Sequence, residues 1–150
     1  MQANAFKDYC PNGLQVEGSK TISKVAFSVS ATKHSIAKAC EWGADALVVH
    51  HGLFWKFHGT KPIKGPFAKR VIPLIKNDIN LFGYHLPLDA HPEVGNAAAI
   101  ADELELVNRD SFGDYKGSPT GIKGKFKSPM TRDELAKKLE RQARENKKLA

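Results

Sequence analysis

The stretch Ala44-Asp45-Ala46-Leu47-Val48-Val49-His50-His51-Gly52 decides how this chain is read. A short apolar run ending in Leu-Val-Val and bounded by glycines predicts a buried strand, and it runs straight into two adjacent imidazoles. Upstream, Ile22 to Val29 is rich in β-branched residues and reads as another strand. Ser30 or Thr32 can cap a helix over 33–43, which Gly43 ends. Downstream, residues 66–77 have helical periodicity, although Pro73 implies a kink or a break. Ile79 to Tyr84 is a further buried strand running into His85-Leu86-Pro87-Leu88-Asp89, and Asn96 to Glu105 is an Ala-rich helix. Strand alternating with helix predicts the α/β class, with a mostly parallel sheet covered on both faces. Ligands of such sheets gather beyond the carboxyl ends of the strands. Residues 50–52 and 85–91 both fall there.

The rest of the chain is punctuation around that core. Residues 11–18 open with turn chemistry and move into a short extended piece. From Asp110 to Lys127, Gly, Lys and Ser predict a loop or weak strand, and Thr131 to Ala150 an exposed helix with Asp133 and Glu134 in its first turn. The corresponding domain division is 1–110, an α/β site domain, and 111–150, a linker and basic helix.

Composition bounds the class. The 150 residues are 41% hydrophobic and 26% charged, which suits a single globular core. No apolar run reaches the roughly 18 residues of a membrane span, and the first residues lack the apolar stretch of a signal peptide. A cytoplasmic location is expected. Cys10 and Cys40 are too few and too far apart for a disulfide framework or a thiolate metal site, and read as buried, inert thiols. The net charge of +7 is localised: residues 1–110 carry 12 basic against 11 acidic side chains, and residues 111–150 carry 11 against 5. That places the basicity on a helix face in the tail and weighs against a nucleic-acid interface, which remains the alternative use of that face.

Five of the six histidines, at 50, 51, 58, 85 and 91, fall within a 42-residue stretch. Successive side chains of a regular strand point to opposite faces, but two imidazoles at a strand end can diverge around a common point, each serving one ion of a pair. Imidazole suits zinc, iron, manganese-like and nickel ions, and a carboxylate adds a hard ligand. His50, His51 and Asp89 are therefore the candidate metal ligands. His85 and His91 flank Asp89 and are candidate proton carriers, further ligands or supports of the ligands. Hydrogen-bonded structural histidines are the alternative. Phe54, Trp55 and Phe57 can wall a pocket for a flat heterocycle or serve as core or interface residues. His58 and Lys61 can meet an anionic substrate or lie in a solvated loop. Asp8, Asn12 and Gln15 read as turn and strand residues.

Three ordered motifs carry a family resemblance: Asp8-Tyr9-Cys10-Pro11-Asn12-Gly13-Leu14-Gln15-Val16-Glu17-Gly18; Val48-Val49-His50-His51-Gly52 followed by Phe54-Trp55; and His85-Leu86-Pro87-Leu88-Asp89 with Gly95-Asn96. Over about residues 8–110 the chain resembles the GTP cyclohydrolase I type 2 homologue family, also called the Ngg-interacting-factor-like family. The resemblance implies a three-layer α/β/α fold built of two similar, intertwined halves, of which this chain resembles the first and the start of the second. It also implies a toroidal hexamer around a dinuclear centre of divalent transition metal (zinc, iron or manganese), with His50, His51 and Asp89 as ligands. The family's other ligands, a His and a Glu near the carboxyl end of longer chains, have no counterpart here, since no His follows His91.

The function so implied is metal-dependent hydrolysis of a purine nucleotide, water attacking C8 of the guanine ring with His85 or His91 moving protons. The alternative is a non-enzymatic, metal-binding hexamer that acts as an interaction or regulatory platform.

Overall fold

The structure is a computed structural model that describes residues 6–148, with side chains to residue 141. It divides into two compact units between Asp89 and Ala90. The first holds β1 (Gly13–Val16), β2 (Val25–Ser30), α1 (Lys33–Trp42), β3 (Ala46–His51), a single 3-10 turn (Lys56–His58), α2 (Gly65–Lys76), β4 (Asn80–Gly83) and α3 (Leu86–Asp89). Its sheet has the order β1-β4-β3-β2, with β2, β3 and β4 parallel and β1 antiparallel on the edge. The α/β class with a mostly parallel sheet is thus what the sequence predicts.

Local chemistry sets the elements. Thr32 caps α1 in a reciprocal box, its hydroxyl accepting from Ser35 N at 3.0 Å while Ser35 Oγ accepts from Thr32 N at 2.9 Å. Gly43 closes the helix in the left-handed conformation, φ 70°. β2 begins at Val25 rather than Ile22: the backbone N–H groups of Ser23 and Lys24 are held by the Asp45 carboxylate at 2.8 Å, not by a strand partner. α2 runs through Pro73 as one helix, so the break that was one of the two expected outcomes there does not occur. Phe67, Val71 and Leu74 bury one stripe of it, and packing along that stripe offsets the hydrogen bond a proline cannot make.

The core lies between the sheet and α1 with α2. Leu47, Val49, Ile79 and Leu81 meet Ile36, Ala39, Phe67, Val71 and Leu74 there, and a fully buried Leu or Ile contributes roughly 1.5–3 kcal/mol. The cross-strand row Phe27–Val48–Phe82–Leu14 lies on the opposite face. That face, which the sequence places under helices, is open at Phe27 (78% exposed) and Val29 (70%).

Asn80 locks the sheet's lower end. Its buried side chain accepts from Gly18 N at 2.9 Å and donates to Ser19 O at 2.8 Å and Asp45 O at 3.1 Å.

In the second unit, α4 (Asn96–Glu103) precedes an antiparallel hairpin of β5 (Val107–Tyr115) and β6 (Ser118–Lys125), followed by α5 (Arg132–Lys148). Of the loop or weak strand expected over 110–127, the structure has strand, paired as a hairpin. Lys116 and Gly117 are both at positive φ, 52° and 91°, the two-residue turn that matches strand twist. Asp114 accepts from Gly117 N at 3.0 Å across it. Arg109 ties α4 to β5 by donating to Ala101 O at 3.0 Å and pairing with Asp102. Thr131 and Glu134 cap α5 reciprocally, as the acidic first turn predicts. No helix among the described residues is long and apolar enough to cross a membrane.

Gly18 passes so close to the Asp78 backbone that a Cβ would sit 2.3 Å from Asp78 O. Backbone cannot swing aside as a side-chain tip can, so Gly18→Ala is expected to destabilise the chain by about 1–3 kcal/mol. Urea denaturation measures this, and an unchanged midpoint would show that the contact relaxes freely.

Candidate metal centre

Parallel β3 and β4 end at the same edge of the sheet, but β3 is the longer. The last paired residues are Val49 and Gly83, and His50 and His51 continue β3 past that point. The strand therefore persists through both histidines instead of giving way to a loop. With β4 stopping at Gly83, both rings still approach, centroids 4.4 Å apart and tilted by 57°. His85 comes from just beyond β4, its ring 4.9 Å from His50 and 5.8 Å from His51. One ring nitrogen from each of His50, His51 and His85 falls within 4.8 Å of the others. Asp89, at the end of α3, places Oδ2 3.6 Å from His50 Nε2.

Hydrogen bonds select the ring nitrogens that face inward. His50 Nδ1 lies 3.1 Å from Tyr84 O, and His85 Nδ1 lies 2.9 Å from Asp8 Oδ1. A carbonyl and a carboxylate only accept, so both Nδ1 atoms carry a proton, and in the neutral ring the lone pair is on Nε2. His51 Nδ1 is 2.9 Å from Ser30 Oγ, which can complete the same arrangement. A ligating imidazole characteristically donates its other N–H to such a group. Three oriented imidazoles beside a carboxylate fit a divalent transition metal and do not fit calcium or magnesium, which favour all-oxygen shells. Burial lowers the pKa of His51, as do the neighbouring His50 and His85, against an opposing pull from Asp89. All three net causes favour the deprotonated ring a metal requires.

Asp8 organises this arrangement, and the sequence reading assigned it only to a turn. Its carboxylate is 3% exposed. Oδ1 accepts from Cys10 N at 3.0 Å and from His85 Nδ1, and Oδ2 from Asn12 Nδ2 at 3.0 Å and Leu86 N at 2.9 Å. Asn12 Oδ1 adds a bond from His85 N at 2.8 Å. Gln15 braces the other side, accepting from Leu53 N at 2.9 Å while donating to Pro11 O at 2.9 Å. The bond to Cys10 N is an Asx turn that a sequence can suggest. The partners some 77 residues away are not visible in it. Cys10 is buried and Cys40 half-buried, and burial raises both thiols, as expected of inert cysteines. His91 belongs to the second unit, where its Nδ1 accepts from Val94 N at 3.2 Å and Glu93 N at 3.3 Å.

Fold and site together define an α/β protein with a three-imidazole candidate metal centre at the carboxyl edge of its sheet. The chain belongs to the DUF34/NIF3 (NGG1p interacting factor 3) family, whose sequence model matches residues 1–149. It is 45% identical to the GTP cyclohydrolase 1 type 2 homolog of Haemophilus influenzae over 94% of its own length and 55% of the relative's. It is 42% identical to the protein of the same name from Pyrococcus abyssi, over 93% and 56%. Among solved structures it is similar to the protein ybgI, described as of unknown function, with a TM-score of 0.78 and 44% identity over 92% of this chain and 53% of that one. Reduced HcgD from Methanocaldococcus jannaschii gives 0.79 at 26% identity, over 93% and 54%. The chain spans about half the length of the curated relatives it matches.

Burial alone would raise the Asp8 pKa, but the four hydrogen bonds outweigh it and hold the carboxyl at about 2, below the ordinary 3.8. The folded state thus binds fewer protons than the unfolded one. This contribution is complete above pH 3.8 and is lost as pH falls toward 2; at ~1.4 kcal/mol per pH unit it amounts to roughly 2 kcal/mol. Asp8→Asn is expected to lack that part of the acid dependence. Identical pH profiles of urea stability for the two proteins would refute the assignment.

Proposed function

We propose that this chain carries a divalent transition-metal centre, of zinc, iron or manganese, serving hydrolysis of a purine nucleotide in the cytoplasm. The observation that carries the reading is the convergence of His50, His51 and His85 within 4.8 Å, with Nδ1 of His50 and His85 tied to acceptor-only groups. The relatives' names, GTP cyclohydrolase 1 type 2 homologs, support the substrate class. His50, His51 and Asp89 would hold metal, with two ions in a complete centre. Bound there, metal supplies Lewis acidity and lowers the pKa of water toward neutrality.

The chain's own residues supply orientation and proton handling. Asp8 holds the His85 ring through Nδ1, so Nε2 is the atom that would either ligate metal or, left unligated beside His50, His51 and Asp89, take or return a proton. Asp89 places a carboxylate oxygen 3.6 Å from His50 Nε2 and opposes, without reversing, the lowering of the His51 pKa. Trp55, whose ring stands edge-on to His85 at 5.0 Å and whose Nε1 donates to Gly52 O, screens one side from water.

A second reading, a metal-binding hexamer acting as an interaction platform without turnover, draws on the open apolar face at Phe27 and Val29.

Elemental analysis of the purified chain tests the centre. One or two transition-metal ions per chain are expected, with occupancy lost in folded His50→Ala and reduced in folded Asp89→Ala. A folded chain that takes up no metal on anaerobic reconstitution would sink the metal reading. Formate release from GTP separates the hydrolase from the platform, since the platform assembles and binds metal without it.

A further inference from the structure

Behind the indole of Trp55 lies a cleft of about 200 Å³, lined by Phe54, Trp55, Lys56, His58 and Lys61. Trp55 is shared between cleft and histidine cluster, its ring 5.0 Å from that of His85 and 6.2 Å from that of His51. No carboxylate is among the lining residues, whereas two ammonium groups and an imidazole are. Lys61 is not a free surface lysine: it is half-buried, with Nζ 4.6 Å from the centre of the Phe67 ring and 3.4 Å from His58 Nδ1. An ammonium can only donate, so His58 Nδ1 accepts and the ring proton lies on Nε2, leaving a second donor beside the first. Lys56 is likewise fixed, donating to Asp8 O at 2.7 Å with two further protons to give. Two lysines, each held by one polar contact, and an imidazole N–H offer separate point donors to the several oxygens of a phosphoryl group, which lysine binds as a point charge. The volume is below the ~300 Å³ at which sites for whole drug-sized ligands begin, so the cleft takes part of a ligand.

We infer that this cleft is the phosphate subsite of a phosphorylated substrate whose reacting portion lies at the histidine cluster on the other side of Trp55. The inference rests on the hydrolase reading above and assigns Lys61, Lys56 and His58 the anionic end of that substrate.

The test uses the full chain stripped of metal, so that chelation by phosphate plays no part, with Trp42→Phe leaving Trp55 as the sole tryptophan and excitation chosen to spare tyrosine. Inorganic triphosphate and GTP are expected to change Trp55 emission saturably at similar concentrations, guanosine to have no effect at those concentrations, and added salt to weaken both. Lys61→Ala, and Lys61→Gln which keeps most of the stem, are expected to weaken triphosphate about tenfold or more, the loss of one charge-assisted hydrogen bond. Lys137→Ala in the basic tail should leave the titration unchanged. Absence of any saturable triphosphate signal in the folded chain overturns the subsite, as does full-strength binding in both Lys61 variants. Binding that depends on Lys61 without formate release by the metal-loaded protein upholds the subsite and sinks the hydrolase. Formate release indifferent to Lys61 does the reverse.

Discussion

Everything at the histidine-bearing edge of the sheet hangs on one buried carboxylate. Asp8 is on no helix or strand, yet it gathers four donors from two stretches of chain that meet only in the folded state. Burying an ionised carboxylate is costly unless its oxygens are fully satisfied. Here satisfaction and positioning are the same event, because one donor is the His85 ring and another is the first N–H of the turn that carries Asp89. The opening segment is therefore a structural strut for a site whose candidate ligands all lie at least 40 residues further along.

Much of the fold was legible because it follows local rules. The alternation of buried strand and capped helix from Ile22 to Tyr84 needs only periodicity, Thr32 and Gly43. The helix over 66–77 was legible from its apolar stripe, and packing along that stripe carries it through Pro73 without a break. The failure at the hairpin is equally local in origin. The Lys116-Gly117 turn was hidden because lysine is an uncommon occupant of a positive-φ position, and a Gly- and Lys-rich stretch looks like a loop until its two strands are paired.

The site was legible in its residue types and less so in its geometry. His50, His51 and Asp89 announce themselves by clustering at strand ends, and His85 by its place in the same motif. What no periodicity reveals is that β3 outlasts β4, which gives adjacent strand residues room to bring their rings together. The roles of Asp8, Asn12 and Gln15 depend on contacts across the chain, and residues of those types are ordinary in turns. Lys61 belongs with them, since its fixed position comes from Phe67 and His58 rather than from any sequence pattern.

Gln15 threads its amide past the flanks of the strand ends that lead to the histidines: a Cβ on Gly52 would lie 2.3 Å from its Oε1, and one on Gly83 2.5 Å from its Nε2. Three positions in different parts of the chain thus share one volume. Mutational drift at any of them is coupled to the others: a larger residue at 52 or 83 has to turn the Gln15 amide aside or be accompanied by a shorter residue at 15, and either change takes from Leu53 N its acceptor. In a randomised library these positions would be recovered as a correlated set, with single changes scarce and compensated pairs the accessible route.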